Sequence, residues 1–366
     1  MRRLAIVSII VLVPALFLTA CRAGRESGYQ KYSDGFFDTF DTLVNVTAYV
    51  RDQEEFETLF DRARTRFNQL HRLFDIYYSY EGINNIKTVN DNAGVKPVEV
   101  DREIIDLILF AKEWYDRTDG KVNIALGSVL KIWHSYRQQG LDHPANAKLP
   151  PMEKLKEAAE HTDIDKVIVD EDKGTVYLED PGMSLDVGAV AKGFAAEIVA
   201  RELMAEGLKS GIINAGGNMR IIGKPLDGIR GLWGIGIQDP DKFILSDDYS
   251  NLLDIVFVKD TSVVSSGVYQ RYYVVDDIMY HHLIDPDTLM PGEHNKAVTV
   301  VTEDSGLADL LSTVVFLMPY QRGREFVESL DDVDAVWVME DGRVEATDGM
   351  KRMLKSYGAG GELQGY

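Results

Sequence analysis

Cysteine is nearly absent: 366 residues hold one, Cys21. No disulfide can form within the chain, so a packed core alone must stabilise the fold. Positive charge is scarce too. The chain has 39 Lys and Arg against 59 Asp and Glu, a formal net charge of −20, which argues against binding nucleic acid through phosphate neutralisation. A phosphate-bearing ligand would need cations or a metal supplied locally against that field. The apolar run Leu4 to Ala20 is short for a membrane span, which needs roughly 20 apolar residues. Repeats and low-complexity blocks are missing, which leaves one large domain or two ordinary ones. Apolar residues, at 45%, are plentiful enough to bury a sizeable core.

The N-terminus reads as a targeting segment. Arg2 and Arg3 precede the apolar run, which ends in small residues. Its last four residues, "LTAC", resemble the lipobox of bacterial lipoproteins, in which the cysteine is lipidated and becomes the new N-terminus. A secreted protein has little other use for a single unpaired thiol; the alternative is an ordinary signal peptide with an accidental cysteine. The expected organisation is a signal peptide over 1–20, a tether over 21–31 that begins at lipidated Cys21, and a globular domain over 32–366. That places the protein on the extracytoplasmic face of a bacterial membrane.

"LVNVTAYV" (43–50) alternates and is β-branched, as a strand does. Phe56, Leu59, Phe60, Ala63, Phe67, Leu70 and Leu73 recur at helical spacing, and Asp52 is placed to cap a helix over 52–74. A polar loop rich in aromatics and asparagine follows over 75–94. A second amphipathic helix spans 101–117, a polar excursion 141–148 and a short helix 153–160. "VIVDEDKGTVYLED" is a hairpin about Lys173-Gly174. Further strands are "GIINAGG", "DIVFV", "YYVV" and "AVTVV". A helix over 304–317 is stopped by Pro319, "AVWVMEDGRVEAT" closes on an Asp341-Gly342 hairpin, and the last residues look frayed. Helices and strands mix without strict βαβ alternation. The fold class is therefore α+β, one large domain with a mixed, largely antiparallel sheet and packed helices.

Five stretches put polar groups and glycine where a core wants neither. "SLDVGAVAKGFAAE" (184–197) starts like a buried strand and continues as an alanine-rich helix, with Asp186 at the strand end and Lys192 in the first helical turn. "NAGGN" (214–218) follows an apolar strand and would let a ligand approach bare backbone. "SSGVYQR" (265–271) offers hydroxyls and amides. In "HHLIDP" (281–286) a histidine able to accept a proton near neutral pH stands at a strand end, although a histidine in a strand is often structural. In "ADLLST" (308–313), Asp309 and Thr313 are four apart on one helix face. A carboxylate and a hydroxyl there form a two-oxygen hook for a hard cation such as Mg²⁺, or else a buried hydrogen bond with Thr313 returning to a backbone carbonyl.

In this order the five stretches resemble the ApbE family, the FAD:protein FMN transferases, over nearly all of the chain from about Phe36 to the closing hairpin. "FDTFDTLVNV" is similar to the family's N-terminal "MGT" strand, with Phe40 where methionine is common. "KVNIALGSVLKIW" resembles the family's "G-x-F-D-P-T-V-G-P-L-x-x-L-W" stretch, but carries Asn123 for the aspartate and Ala125 for the threonine. The resemblance implies Mg²⁺-dependent transfer of the FMN half of FAD to a Thr or Ser hydroxyl of client redox proteins, with AMP released. The acceptor would lie in a Ser/Thr-Gly-Ala-Thr/Ser motif, which this chain lacks, so it should modify other proteins.

By the same resemblance His282 takes the acceptor's proton, and Mg²⁺ is held by Asp309, Thr313 and a backbone carbonyl, that of Ala189. Phe40, Asn123, Ile124, Ala125, Asp186, Lys192, Ile284 and Asp285 contact FAD, and Tyr77 or Tyr78 stacks on one of its rings. The alternatives are an Mg²⁺-dependent FAD pyrophosphatase that yields FMN and AMP, and a flavin-binding lipoprotein without turnover.

Overall fold

The computed structural model describes residues 28–242, 251–269 and 271–361. The expected signal peptide, Cys21, most of the expected tether and the last five residues lie outside the described residues. In chain order the elements begin with strands β1 (Gln30–Thr39) and β2 (Thr42–Val50), then helices α1 (Gln53–Phe74) and α2 (Ile86–Asp91). Next come β3 (Val98–Glu99), α3 (Arg102–Arg117), α4 (Gly127–Asp142) and α5 (Met152–Ala159). The hairpin β4 (Val167–Asp170) and β5 (Thr175–Leu178) leads to α6 (Ala191–Ala205), β6 (Gly211–Ala215), β7 (Asn218–Ile222) and β8 (Trp233–Gln238). Then follow β9 (Leu252–Val258), β10 (Thr261–Gly267), β11 (Tyr272–Val275), β12 (Ile278–His281) and β13 (Asn295–Thr302). The chain ends through α7 (Ser305–Leu317), α8 (Tyr320–Glu328), β14 (Asp334–Met339), β15 (Val344–Ala346) and α9 (Asp348–Met353).

Eight strands form one sheet in the order β1-β2-β6-β7-β10-β13-β14-β15. Every strand pairing in it is antiparallel, so the α+β expectation holds and the sheet is more uniform than the mixed one expected. Strand alternation buries both faces. On one face Val44, Val46, Ala48, Ile213, Val298, Val300 and Trp337 pack under α1, α6 and α7. On the other, Tyr49, Ile221, Val263, Val301 and Val336 pack under the β8–β9 ribbon and α9. A third cluster joins α4 and α5 to β11 through Val129, Trp133, Leu155 and Tyr273.

The apolar stripe of α1 is buried as its period requires, and the Asp52 side chain accepts the Glu55 N–H. Asp304 caps α7 in the same way, through the Leu307 N–H. Four expectations change. Gln30 and Lys31 pair with Val50 and Tyr49, so the sheet begins inside the expected tether. The aromatic loop contains α2, whose Asn85 cap forms a reciprocal capping box with Thr88. The helices α4, α8 and α9 emerge where none was read. Finally, Ser184 and Leu185 are not a strand. Ser184 makes one parallel bridge to Leu126, while the Asn90 side chain occupies both backbone groups of Leu185, at 2.7 and 2.9 Å. A side chain thus takes the hydrogen bonds that a neighbouring strand would otherwise make.

Candidate active site

The junction of α6 and α7 is built on a first-turn amide. α6 begins at Ala191, so the Gly193 N–H is one of the opening donors with no acceptor inside its own helix. It donates instead to Asp309 Oδ2 on α7, at 2.9 Å. The two helices are close enough that a Cβ on Gly193 would stand 2.2 Å from the Ser305 carbonyl and 2.5 Å from Asp309 Cβ, which requires glycine there. Asn218 Nδ2, at the start of β7, also reaches Asp309 Oδ2 at 3.4 Å. Lys192 Nζ lies 3.6 Å from the same oxygen and donates to the Gly188 carbonyl at 3.3 Å. Burial pushes the Asp309 carboxyl up, against the pull of Lys192 and the Gly193 amide.

A buried ion pair clamps this corner from behind. Glu197 on α6 accepts from Arg220 Nε at 2.9 Å, Arg201 Nε at 2.8 Å and the Ser305 N–H at 3.0 Å. It therefore ties α6, β7 and the start of α7 together.

Among the described residues no group of three or more His, Cys, Asp or Glu side chains could hold a metal. A hard cation would need mixed oxygen donors, and these residues fit that need. Asp309 bonds through Oδ2 only, the Ala189 carbonyl lies ahead of α6 and accepts no hydrogen bond among the described residues, and the Thr313 hydroxyl has no hydrogen-bond partner among them. The back-bond to the Asp309 carbonyl comes from Ser312 instead, so the hydrogen-bonded reading of Thr313 does not hold.

The two histidines of "HHLIDP" divide their work. His281 is buried with both nitrogens engaged, Nε2 with the Gly292 carbonyl at 2.9 Å and Nδ1 accepting the Leu283 N–H at 3.2 Å. His282 Nδ1 is buried with no partner. Burial, with the charges of Arg271 and Arg137 next, pushes His282 down to about 3, so its imidazole is neutral.

Tyr77 keeps 48% of its surface open, and its ring lies 5.2 Å from that of His134. Burial of its hydroxyl end, helped by the Asp186 carboxylate, pushes it up to about 12. Tyr78 is 70% exposed and shares none of these contacts. Asp186 accepts the Gly188 N–H at 2.9 Å and is pushed up by burial. Its own N–H donates to the Ile124 carbonyl at 2.8 Å, which brings the Ile124 loop against the 184–197 stretch.

Other expected ligand residues are committed inside the protein. Asn123 accepts from the Ala125 N–H and donates to the Thr162 carbonyl, both at 2.8 Å. The side chains of Ile124, Ala125 and Ile284 are core, so only their backbone can face a ligand. Asp285 is locked to Lys121 Nζ at 2.8 Å and accepts the Asp287 N–H. Phe40 packs on Phe67 and His71. It shares with Asp41 a two-residue turn in which both have φ near +50°, the geometry of a type I′ hairpin.

Four residues escaped assignment. Asp41, Arg137 and Arg271 line a cavity of about 440 Å³ with Leu141 and Tyr272, and Arg137 Nη2 lies 3.0 Å from His134 Nδ1. The signal for two of them was the helical stripe Val129, Trp133 and Gly140 on α4, whose other face carries His134 and Arg137. Arg271 closes the "SSGVYQR" stretch.

With this geometry in hand, the comparisons decide the family. The family model described as "ApbE family" matches residues 40–337. The chain belongs to the ApbE family. Curated ApbE-like relatives named FAD:protein FMN transferase include one from Treponema pallidum (strain Nichols), 33% identical over 72% of this chain and 73% of that protein. Another, from Klebsiella pneumoniae (strain 342), is 29% identical over 74% and 82%. The crystal structure of the ApbE protein from Thermotoga maritima superposes with a TM-score of 0.76 at 28% identity, covering 88% of this chain and 99% of that one. The flavin transferase ApbE from Vibrio cholerae, at 19% identity and a TM-score of 0.71, shares the ApbE fold.

Proposed function

We propose that the protein is an FAD:protein FMN transferase that modifies a Thr or Ser hydroxyl on extracytoplasmic client proteins. The observation that carries this reading is the neutral His282, whose Nδ1 is buried without a partner. A hydroxyl is a weak nucleophile at neutral pH, and a positioned base contributes about 10²–10⁴-fold. In the proposed step the acceptor oxygen forms a bond to the FMN phosphorus as its proton passes to His282. The bond to the bridging pyrophosphate oxygen breaks, and AMP leaves with the electron pair.

Asp309, Thr313 and the Ala189 carbonyl would hold Mg²⁺, which neutralises diphosphate charge. Lys192 turns from Asp309 to the diphosphate, and Asp186 holds the nucleotide. Tyr77 offers the ring for stacking, and Ile124, Ala125 and Ile284 contribute backbone. Upstream, the reading has residues 1–20 removed and Cys21 lipidated, with a short tether ahead of β1. A Cys21→Ser variant should then leave the membrane fraction.

The test is direct. The soluble domain is incubated with FAD, Mg²⁺ and a client domain that carries the Ser/Thr-Gly-Ala-Thr/Ser motif. A mass gain of one FMN on the client together with free AMP supports the proposal. AMP without the mass gain assigns a pyrophosphatase, and neither product assigns a flavin-binding protein.

A further inference from the structure

The cavity lined by Asp41, Arg137, Leu141, Arg271 and Tyr272 has no role in the steps above, and it borders the Tyr77–His134 ring pair through the Arg137–His134 contact. Its two guanidiniums are unusual in a chain of net charge −20. Neither has a carboxylate within ion-pair distance among the described residues. Arg137 bonds only the His134 ring, at 3.0 Å. Asp41 shares the cavity without pairing to either arginine, so the three charges sum to +1. Two like charges near one another are costly: burial and then the Arg271 charge pull Arg137 below the usual guanidinium range. Such an arrangement persists where an anion is to be received.

The cavity's place separates it from the diphosphate corner. Asp309 and Thr313 are buried, whereas this cavity opens to solvent past Leu141, which is 53% exposed. It also adjoins His282, since Tyr272 of its lining pairs with His281 across the β11–β12 ladder. A segment that presents a hydroxyl to His282 from outside must pass it. One wall is set by the Phe40-Asp41 turn, whose left-handed backbone is unusual for residues other than glycine. The turn is held by the Phe40 N–H donating to His71 Nδ1 at 3.3 Å.

We propose that Arg137 and Arg271 form a carboxylate-binding subsite that pairs with an acidic side chain flanking the acceptor hydroxyl of the client. Tyr272 and Leu141 cover the adjoining apolar part of that segment. A net charge of −20 repels acidic partners in general, and this pair of cations turns repulsion into selection at one place. The proposal rests on the transferase reading, because it needs a client.

The test uses two synthetic acceptor peptides with the Ser/Thr-Gly-Ala-Thr/Ser motif, one flanked by Asp and one by Asn. Binding to the FAD-loaded protein is measured by calorimetry and transfer by mass, for wild type, Arg137→Gln and Arg271→Gln. The Asp peptide should bind about tenfold tighter than the Asn peptide, as one charge-assisted contact provides, and both variants should lose that preference while FAD affinity holds. No preference in wild type, or a preference that survives both substitutions, overturns the subsite. Loss of FAD affinity with the peptide preference intact reassigns the arginines to the nucleotide. Peptide discrimination without FMN transfer keeps the subsite and removes the transferase reading.

Discussion

Two of the lysine–aspartate contacts in this molecule are opposites. At one corner Lys121 Nζ meets Asp285 at 2.8 Å and Asp287 at 2.8 Å, while Asp285 also accepts the Asp287 N–H. Burial pulls the Lys121 ammonium down, but its two carboxylate partners outweigh that and hold it above its ordinary value. At the other corner Lys192 stands 3.6 Å from Asp309, and burial holds that carboxyl up. The first pair is satisfied and structural. The second is a looser contact, which leaves room for the cation and diphosphate of the proposed function. The same split divides His281, with both nitrogens bonded, from His282 beside it.

Substitutions can break this contrast. Asp309→Ala should lower FMN transfer on the order of 10³-fold, because charge neutralisation at the phosphate is worth several kcal/mol. Full activity under Mg²⁺ titration would remove the α6–α7 corner from the chemistry. Asp285→Asn should act on folding instead, since removing one partner of a buried pair costs about 3–5 kcal/mol. Thermal denaturation reads that loss, and an unchanged melting temperature would put the two corners on equal footing. His282→Gln should cost about 10²-fold in transfer with the fold intact.

The pH dependence sharpens the same contrast. Folded His282 binds its proton near pH 3, whereas the unfolded chain does so near its ordinary value. The unfolded state therefore holds the extra proton between those two values. The stability that comes from a neutral His282 is full above about pH 6.5 and is lost as pH falls toward 3. Urea unfolding across that window should show the slope, flatter in His282→Gln. The smallest effect concerns the tyrosines: Tyr77→Ala should weaken FAD binding several-fold, since ring stacking is worth about 0.5–1.5 kcal/mol. Tyr78→Ala should change it little, and fluorescence titration separates the two.

Local rules made much of the fold legible. The stripe of α1, its Asp52 cap, the α7 helix and both hairpins follow from period and turn chemistry, and each appears where the sequence puts it. What stayed hidden was held by distant partners. Nothing local says that Asn90, 95 residues away, will take the backbone of Leu185, so Ser184 looked like the start of a strand. α4 carries few buried residues for its length, and its stripe was too thin to announce a helix, so His134 and Arg137 went unassigned. Asp309 and Thr313 could be picked out because one helix turn joins them. Their relation to Gly193 could not, because it depends on two helices meeting.

The first-turn amide of Gly193 also makes a spectroscopic gauge. Its proton is bonded to Asp309 Oδ2, so its chemical shift and exchange rate follow that carboxylate directly. A cation drawing on Asp309 would move this one backbone resonance while the amides farther along α6 stay still. Occupancy of the corner could thus be followed in solution with no substrate turned over.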